Sequence, residues 1–386
     1  MRAIVLLCAL LGLSMLVSVN GKILFHEDFS SLDKWVQSKE RDDYGKVELS
    51  AGKNEPEGSS NKKGLRLTED ARFYAISTEF PTPISNENKE LVFSFVVKHE
   101  QDLKCGGAYL KYLPAMDPTK FNGESKYWLM FGPDRCGSKN KVHIILHYNG
   151  VNHEWSKNFR YPEDSITHAY TLRIAPDNSY SFYLDGQERM KGTLEEDWSL
   201  LPAKEIADPS DVKPADWVDE PTIVDPNDVK PADWDNEPAM IPDTEAKRPD
   251  DWDDAEDGEW EAPMVPNPNA KGEWHPKRIP NPAYKGEWAP RMIPNPEYKE
   301  DKELYKVREP LAHVGIDVWQ VESGSIFRDI IIGDDVNEVL EMVKKTVEEE
   351  RKKEEAEKEK KEADAKKEEE KKEGEKKEAD EDKGDL

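Results

Sequence analysis

A tandem array from Ile206 to Lys299 limits what this chain can fold into more than any other stretch. Its first unit occurs three times, from Ile206 to Trp217, Ile223 to Trp234 and Ile241 to Trp252. A second unit follows without a gap, starting at Gly258, Gly272 and Gly286, a fixed period of 14. Self-similarity of this kind marks a repeat architecture. Proline recurs every few residues, and each internal proline would remove a hydrogen bond and clash with the preceding helical turn, so a continuous helix is excluded. Each unit offers one Trp and a few Ile, Val or Met among Asp, Glu, Pro, Lys and Asn, too little for a packed core. The expected form is an extended hairpin. The first-type units run outward, the chain turns near Asp254 to Glu259, and the second-type units run back. Each Trp would stack on a partner in the opposite limb, with proline stiffening the stretches between. The competing reading, a disordered acidic linker, sits badly with Trp repeated in register, since aromatics are scarce in disorder.

Charge is concentrated in the outward limb. From Ile206 to Glu261 there are 20 acidic residues against four basic ones, a net of −16 out of −27 for the chain. Such a limb repels nucleic-acid phosphate and attracts cations or basic partners. From Glu341 to Leu386 there are 20 acidic and 15 basic residues, a net of only −5.

Residues 1–21 read as a secretory signal, with Arg2 as the positive region and Ile4 to Val17 as the apolar run. An N-terminal membrane anchor is the alternative, although the apolar run is short for a span. No second long apolar run follows. Of three cysteines, Cys8 lies in the signal. Cys105 and Cys136 are an even pair in an oxidising compartment, so a disulfide is the default reading and two buried thiols the alternative. Their spacing fits neither a CxxC redox site nor a cysteine zinc site.

Lys22 to Pro202 carries many short apolar or alternating runs, such as Leu91 to Val97 and Val142 to Tyr148, separated by turns such as Asn149-Gly150 and Asp185-Gly186. This predicts a mainly β, two-sheet sandwich. The pattern returns after the array at Val314 to Val321 and Ile326 to Ile332. Some 40 residues cannot make an independent β domain. The returning strands should therefore complete the first sandwich, with the array inserted between two of its strands. The expected boundaries are signal 1–21, first globular part 22–204, arm 205–300, returning strands 301–340 and charged helical tail 341–386. Val336, Val339, Leu340, Val343 and Val347 lie on one helical face able to dock on the sandwich. Beyond Glu348 that face gives way to Lys and Glu blocks, read as a solvated helix or a charged coil.

Several stretches together resemble the calreticulin and calnexin family: Lys98-His-Glu-Gln101, Cys105-Gly-Gly107, Met130-Phe-Gly-Pro-Asp134, Cys136-Gly137, Thr167 to Leu172, Asp317-Val-Trp-Gln320 and Ser323 to Phe327, with the three-plus-three repeats. The resemblance covers nearly the whole mature chain. It implies a concanavalin-like sandwich interrupted by a proline-rich arm and followed by a charged helix. It also implies a monomeric, calcium-binding lectin chaperone of the endoplasmic reticulum, binding monoglucosylated N-glycans on unfolded glycoproteins. The family's glucose-binding positions correspond to Tyr109, Lys111, Tyr127, Met130, Asp134, Asp317 and Trp319. Lys111, the two Asp and the Tyr hydroxyls would serve as donors and acceptors for sugar hydroxyls, and aromatic faces would pack on sugar C–H. Taken singly, Tyr109 and Tyr127 read as ordinary strand packing, and Lys111 and Asp134 as a solvated pair. At the arm tip, Asp257, Glu259 and Trp260 match positions that contact a disulfide-isomerase-type thiol oxidoreductase. A prolyl isomerase is a further implied partner. One neighbouring acidic position of that pattern is Ala255 here.

Calcium is the implied cofactor. Its structural site would use main-chain oxygens at Asp28, Asn61 and Lys63 and an aspartate carboxylate. The aspartate position holds Arg328, which cannot coordinate a cation. Asp329 is adjacent, but a one-residue step along a strand reverses the face, so it substitutes only if a bulge turns it round. The nearly balanced tail is a poor calcium buffer, which leaves the Asp-rich limb of the arm. The chain ends Lys383-Gly-Asp-Leu386, which matches a Lys-Asp-Glu-Leu retrieval signal only at its first and last residues, so partial secretion would follow.

Nothing in the sequence supports catalysis: it has no HExxH, no GxSxG, no phosphate-cradling glycine loop and no CxxC. The histidines His99, His143, His147, His153 and His168 are scattered over β segments and read as structural. Asp134 and Asp317 are the one conceivable glycosidase pair. The competing functions are a low-affinity calcium store, which would not need the sugar-binding constellation, and a secreted surface adhesion protein.

Overall fold

The computed structural model describes residues 22–53, 62–101, 103–252 and 258–381. The expected signal segment, Asn61, residues 253–257 of the expected arm tip and residues 382–386 lie outside them. The chain divides into two compact units, Ala203–Pro296 and the sequence on either side of it.

In the flanking unit the strands are β1 (Ile23–Glu27), β2 (Val36–Gln37), β3 (Val47–Ser50), β4 (Gly64–Leu67), β5 (Arg72–Ile84), β6 (Leu91–His99), β7 (Cys105–Gly107), β8 (Leu110–Pro114), β9 (Leu129–Cys136), β10 (Lys139–Tyr148), β11 (Val151–Glu154), β12 (His168–Ile174), β13 (Ser179–Leu184) and β14 (Gln187–Thr193). A short helix α1 (Leu194–Trp198) leads into the array, whose strands are β15 (Glu205–Ala207), β16 (Thr222–Val224), β17 (Met240–Pro242), β18 (Met264–Pro266), β19 (Arg278–Pro280) and β20 (Met292–Pro294). Beyond the array come β21 (Leu311–Gln320), β22 (Ser325–Gly333) and α2 (Val336–Glu381).

One sheet runs β14-β13-β12-β6-β22-β4-β3, with β1 also on β22; the other runs β11-β10-β9-β7-β21-β5-β2, with β8 bridging β9 and β21. The two strands that follow the array therefore sit in the middle of the two sheets. Neither sheet is complete without them. Phe93 and Phe95 of the first sheet pack on Tyr112 and Phe131 of the second, at ring separations of 4.6 and 5.6 Å. These rings belong to one continuous buried cluster fed by both sheets. β6 is buried along its whole length, as expected for a strand covered on both sides.

Three short antiparallel pairs build the inserted unit: β15 with β20, β16 with β19 and β17 with β18. They place Ile206 opposite Ile293, Ile223 opposite Ile279, and Ile241 opposite Val265. The array is a hairpin of nested rungs, and each first-type Trp reaches across to the opposite limb. Lys271 of the return limb lies over the Trp234 ring, 5.4 Å from its centroid, and each first-type Trp also donates its indole N–H to the carbonyl of the glycine opening a second-type unit. The bonds are Trp217 to Gly286 at 3.0 Å, Trp234 to Gly272 at 2.9 Å and Trp252 to Gly258 at 2.8 Å. Among the described residues no arm side chain enters a buried apolar cluster. Directional hydrogen bonds replace a core, so each rung must be satisfied locally.

The tail departs from expectation in how far it docks. The helix begins at Val336, where the expected apolar face begins, and runs without interruption across the 340/341 boundary to Glu381. Asp335 accepts from the backbone N–H of Asn337 and Glu338, at 2.9 and 3.1 Å, and so caps its first turn. Val339, Val343 and Val347 bury against Val92, Val96, Ala169 and Ile331 of the first sheet. The docked face does not end at Glu348. It continues as Glu350 and Glu354, both buried. Arg328 pairs with Glu350. Glu354 lies 2.6 Å from Lys98 and accepts from the Thr167 N–H and hydroxyl at 2.7 and 2.9 Å. The spacing of three and four residues persists, and only the chemistry of the contact changes from apolar to ionic.

Candidate functional site

Strand register gathers most of the expected sugar-contacting residues on the outer face of the second sheet. Gly315 of β21 stands opposite Lys111 of β8, and Lys111 opposite Met130 of β9. On β21 the same face continues two and four residues on, at Asp317 and Trp319. These stand opposite Ala75 and Phe73 of β5. On β9 it continues at Gly132 and Asp134, opposite His143 and Lys141 of β10.

Lys111 is the centre of this face. Its ammonium is 2.7 Å from Asp317 Oδ2 and donates to the Gly123 carbonyl at 3.0 Å. It also lies 5.3 Å above the Tyr127 ring. The Lys111 side chain is only 5 % exposed and that of Asp317 14 %. A buried ion pair is a weak source of stability, because desolvating both ions offsets most of their attraction. Tyr127 and Met130 are buried with Ala75, Leu113 and Phe121, and Tyr44 and Tyr109 pack against that cluster. Burial above all, then the Asp317 and Asp134 carboxylates, pushes the Tyr109 hydroxyl well up. Burial, with Glu154 adding to it, raises Tyr127. Both phenols therefore stay neutral and keep a donor and an acceptor.

Asp134 is set slightly apart. Its carboxylate faces His143 Nε2 at 3.3 Å, and His143 Nδ1 is 3.0 Å from Glu154. Trp319 lies at the other end, 4.6 Å from Phe73 between ring centroids, and Arg41 covers Phe73 at 4.5 Å. Cys105 and Cys136 are joined by a disulfide and stand directly opposite one another, followed by Gly106 with Arg135 and Gly107 with Asp134. The bond therefore pins the strand leading to Tyr109 and Lys111 to the strand carrying Asp134. A Cβ on Gly107 would come within 2.3 Å of the Tyr109 ring. Sequence reading missed Gly107, Gly123, Tyr44, Phe73, His143 and Glu154 as neighbours of this face. A glycine pair inside a strand, with its hint of close approach, was the one available signal.

At the arm tip, Glu259 is exposed and Trp260 half-buried, while Asp257 and Ala255 lie outside the described residues.

The expected calcium ligands are arranged otherwise. Asp28 and Lys63 are exposed, and Asn61 is not described. Arg328 is 1 % exposed. It turns to Glu350 and donates to the Ala51 carbonyl. The pairing of β22 with β6 slips between Arg328 and Ile331, and Asp329 there has a φ of 42°. This bulge resets the alternation: Arg328 and Ile331 face the helix, while Phe327, Ile330 and Ile332 face the core. Asp329 is turned toward His26, whose Nε2 is 3.1 Å from its Oδ1, and toward Lys62, which binds Oδ2. Burial pushes the Asp329 carboxyl up, but bonds from His26 and Lys62 outweigh it and hold the group below its usual range. The one buried carboxylate here is saturated by protein donors. This set does not fit an oxygen cage for calcium, and among the described residues no cluster of three acidic, His or Cys side chains is placed to hold a metal.

The chain matches the family model described as the calreticulin family over residues 25–258 and 254–332. It is 50% identical over 336 residues to the calreticulin of Dictyostelium discoideum, covering 86% of this chain and 78% of that one. It is 47% identical over 356 residues to that of Onchocerca volvulus, covering 90% and 91%. Among solved structures it superposes on the T. cruzi calreticulin globular domain with a TM-score of 0.63 and 52% identity, over 86% of this chain and 95% of that one.

Proposed function

The chain belongs to the calreticulin family of chaperone lectins, and we propose that its own sugar ligand is the terminal glucose of monoglucosylated N-glycans, held on the outer face of the second sheet. The observation that carries this reading is the Lys111–Asp317 pair, buried yet opening on a face of neutral tyrosines. Its net stabilisation is small, so its place on this face is explained by recognition. Two of the three Lys111 donors are committed to Asp317 and Gly123. The third serves a sugar hydroxyl, Asp317 and Asp134 accept from others, and Met130, Tyr127 and Trp319 supply apolar contact for C–H surface. Asp134 and Asp317 take part in binding only, and the protein is not an enzyme.

The same reading assigns the arm tip, at Glu259 and Trp260 with Asp257, to a disulfide-isomerase-type thiol oxidoreductase, with a prolyl isomerase as a further partner. It places the monomeric protein in the endoplasmic reticulum lumen, as for calreticulins in general, with Lys383-Gly-Asp-Leu386 acting as a weak retrieval signal. Among the described residues no helix is long and apolar enough to cross a membrane. Calcium binding is a family property. In this chain it belongs to the acidic outward limb of the arm, as many weak contacts.

Titration calorimetry with a glucose-capped oligomannose tests the pocket. Lys111→Ala and Asp317→Ala should each abolish measurable binding, because each leaves the other charge buried and unpaired. Unchanged binding in either variant rules the pocket out.

A further inference from the structure

The chain carries a cation of its own at the Asp329 bulge. Asp329 is 1 % exposed, and a carboxylate so buried must be compensated, since an isolated buried charge is heavily penalised. β1 runs alongside β22 with His26 opposite Ile331 and Glu27 opposite Ile330. Asp28 therefore arrives beside Asp329. The Asp28 carboxylate itself accepts from the Ser30 N–H at 2.9 Å. Lys62 reaches in immediately ahead of β4, and its ammonium closes on Asp329 Oδ2 while His26 takes Oδ1. Arg328, one residue back, is committed to Glu350 and Ala51 on the other face.

We propose that the Lys62 ammonium is a built-in replacement for a bound cation at Asp329, so that this part of the globule is held together without a metal and is closed to calcium. One substitution and one bulge make the arrangement self-consistent. Arg328 converts a strand position facing the helix into an anchor for α2. The bulge hands the buried Asp329 carboxylate to a lysine, which satisfies it permanently and at any calcium concentration. A lysine ammonium on a flexible stem can fill such a place as a compact point charge. Removing that charge leaves the Asp329 carboxylate with His26 alone and Asp28 as a further oxygen donor beside it, the chemistry that attracts a hard divalent ion.

The test compares the thermal unfolding of the globular unit in the full chain, with millimolar calcium and with a chelator, for the wild type, Asp329→Asn, Lys62→Gln and Lys62→Met. The comparison with Asp329→Asn isolates this site from weak binding by the acidic limb. Wild type and Asp329→Asn should show the same calcium response. Lys62→Gln and Lys62→Met should gain an additional calcium-dependent rise of about 2–4 °C, which a second substitution of Asp329 by Asn removes. A wild-type response that Asp329→Asn diminishes would mean that calcium already binds there. Lys62 variants with no added response would mean that the lysine is not what closes the site. Either result overturns the proposal, and neither bears on sugar binding by Lys111.

Discussion

Gly107 stands opposite Asp134 in the ladder that the disulfide pins, and its missing side chain is what lets the Tyr109 ring lie against β7. Gly107→Ala would drive a methyl group into that ring. The expected cost is about 1–3 kcal/mol of stability or binding, read as a loss of glycan affinity of tenfold or more by calorimetry. Full affinity in a folded variant would show that the Tyr109 position does not matter. This contact could not be read from the sequence, because a glycine reports only that something comes close, not what. Lys111 and Asp317 show the same limit from another side. They are separated by 206 positions, and residue type alone gives a solvated charge on each. The family pattern brought them together, while the structure adds that the pair is buried and shares its lysine with the Gly123 carbonyl.

At the scale of elements, the arm is a ladder whose rungs vary in a correlated way. In the first rung Asp211 accepts from the Arg291 N–H at 2.7 Å, and in the second Asp228 accepts from the Lys277 N–H at 2.6 Å. In the third, the corresponding residues are Ala246 and Pro263, so acceptor and donor are missing together and nothing is left unsatisfied. Asp228→Ala breaks this match by leaving the Lys277 N–H without its carboxylate. A loss of about 1 kcal/mol should appear as roughly fivefold faster exchange of the Lys277 amide, with the Arg291 amide unchanged as an internal control. Equal exchange in both proteins would contradict the rung-by-rung account. The repeats announced a hairpin in the sequence. The partner of each Trp was not legible, because an indole can stack or donate, and only the register decides.

The tail helix poses the same problem. Its valines were legible as a docking face, but Glu350 and Glu354 looked like two acids in a charged run until Arg328 and Lys98 were placed beneath them. Farther along the same surface, Arg351 of α2 pairs with Asp185 and lies 3.0 Å from His168, which contacts Asp164 at 3.0 Å. Burial raises the Asp164 carboxyl, but its bond to His168 and the charge on that ring prevail and hold it down at about 2. Its folded value lies below the unfolded 3.8, so the stability it adds is complete above about pH 4 and is lost as pH falls toward 2. Asp164→Asn should flatten the acid limb of the stability profile in that window. An unchanged acid limb would remove Asp164 from the account.

For the whole molecule, the organising fact is that β21 and β22, which follow the array, occupy the middle of the two sheets. The proposed sugar-contacting face is therefore assembled from sequence on both sides of the insertion, and the globular unit cannot be had without its last strands. That much was legible, since two lone strands after the repeats have no other core to join. The fate of the calcium position was not, because it turns on a bulge that shifts the face of β22 at Asp329. We propose that the Lys111–Asp317 face recognises a terminal glucose. Titration calorimetry of the full chain with glucose-capped and uncapped forms of one oligomannose tests it most directly. The account predicts one-site binding of the capped form and no measurable heat from the uncapped form. Equal affinity for both, or heat from neither, would contradict it.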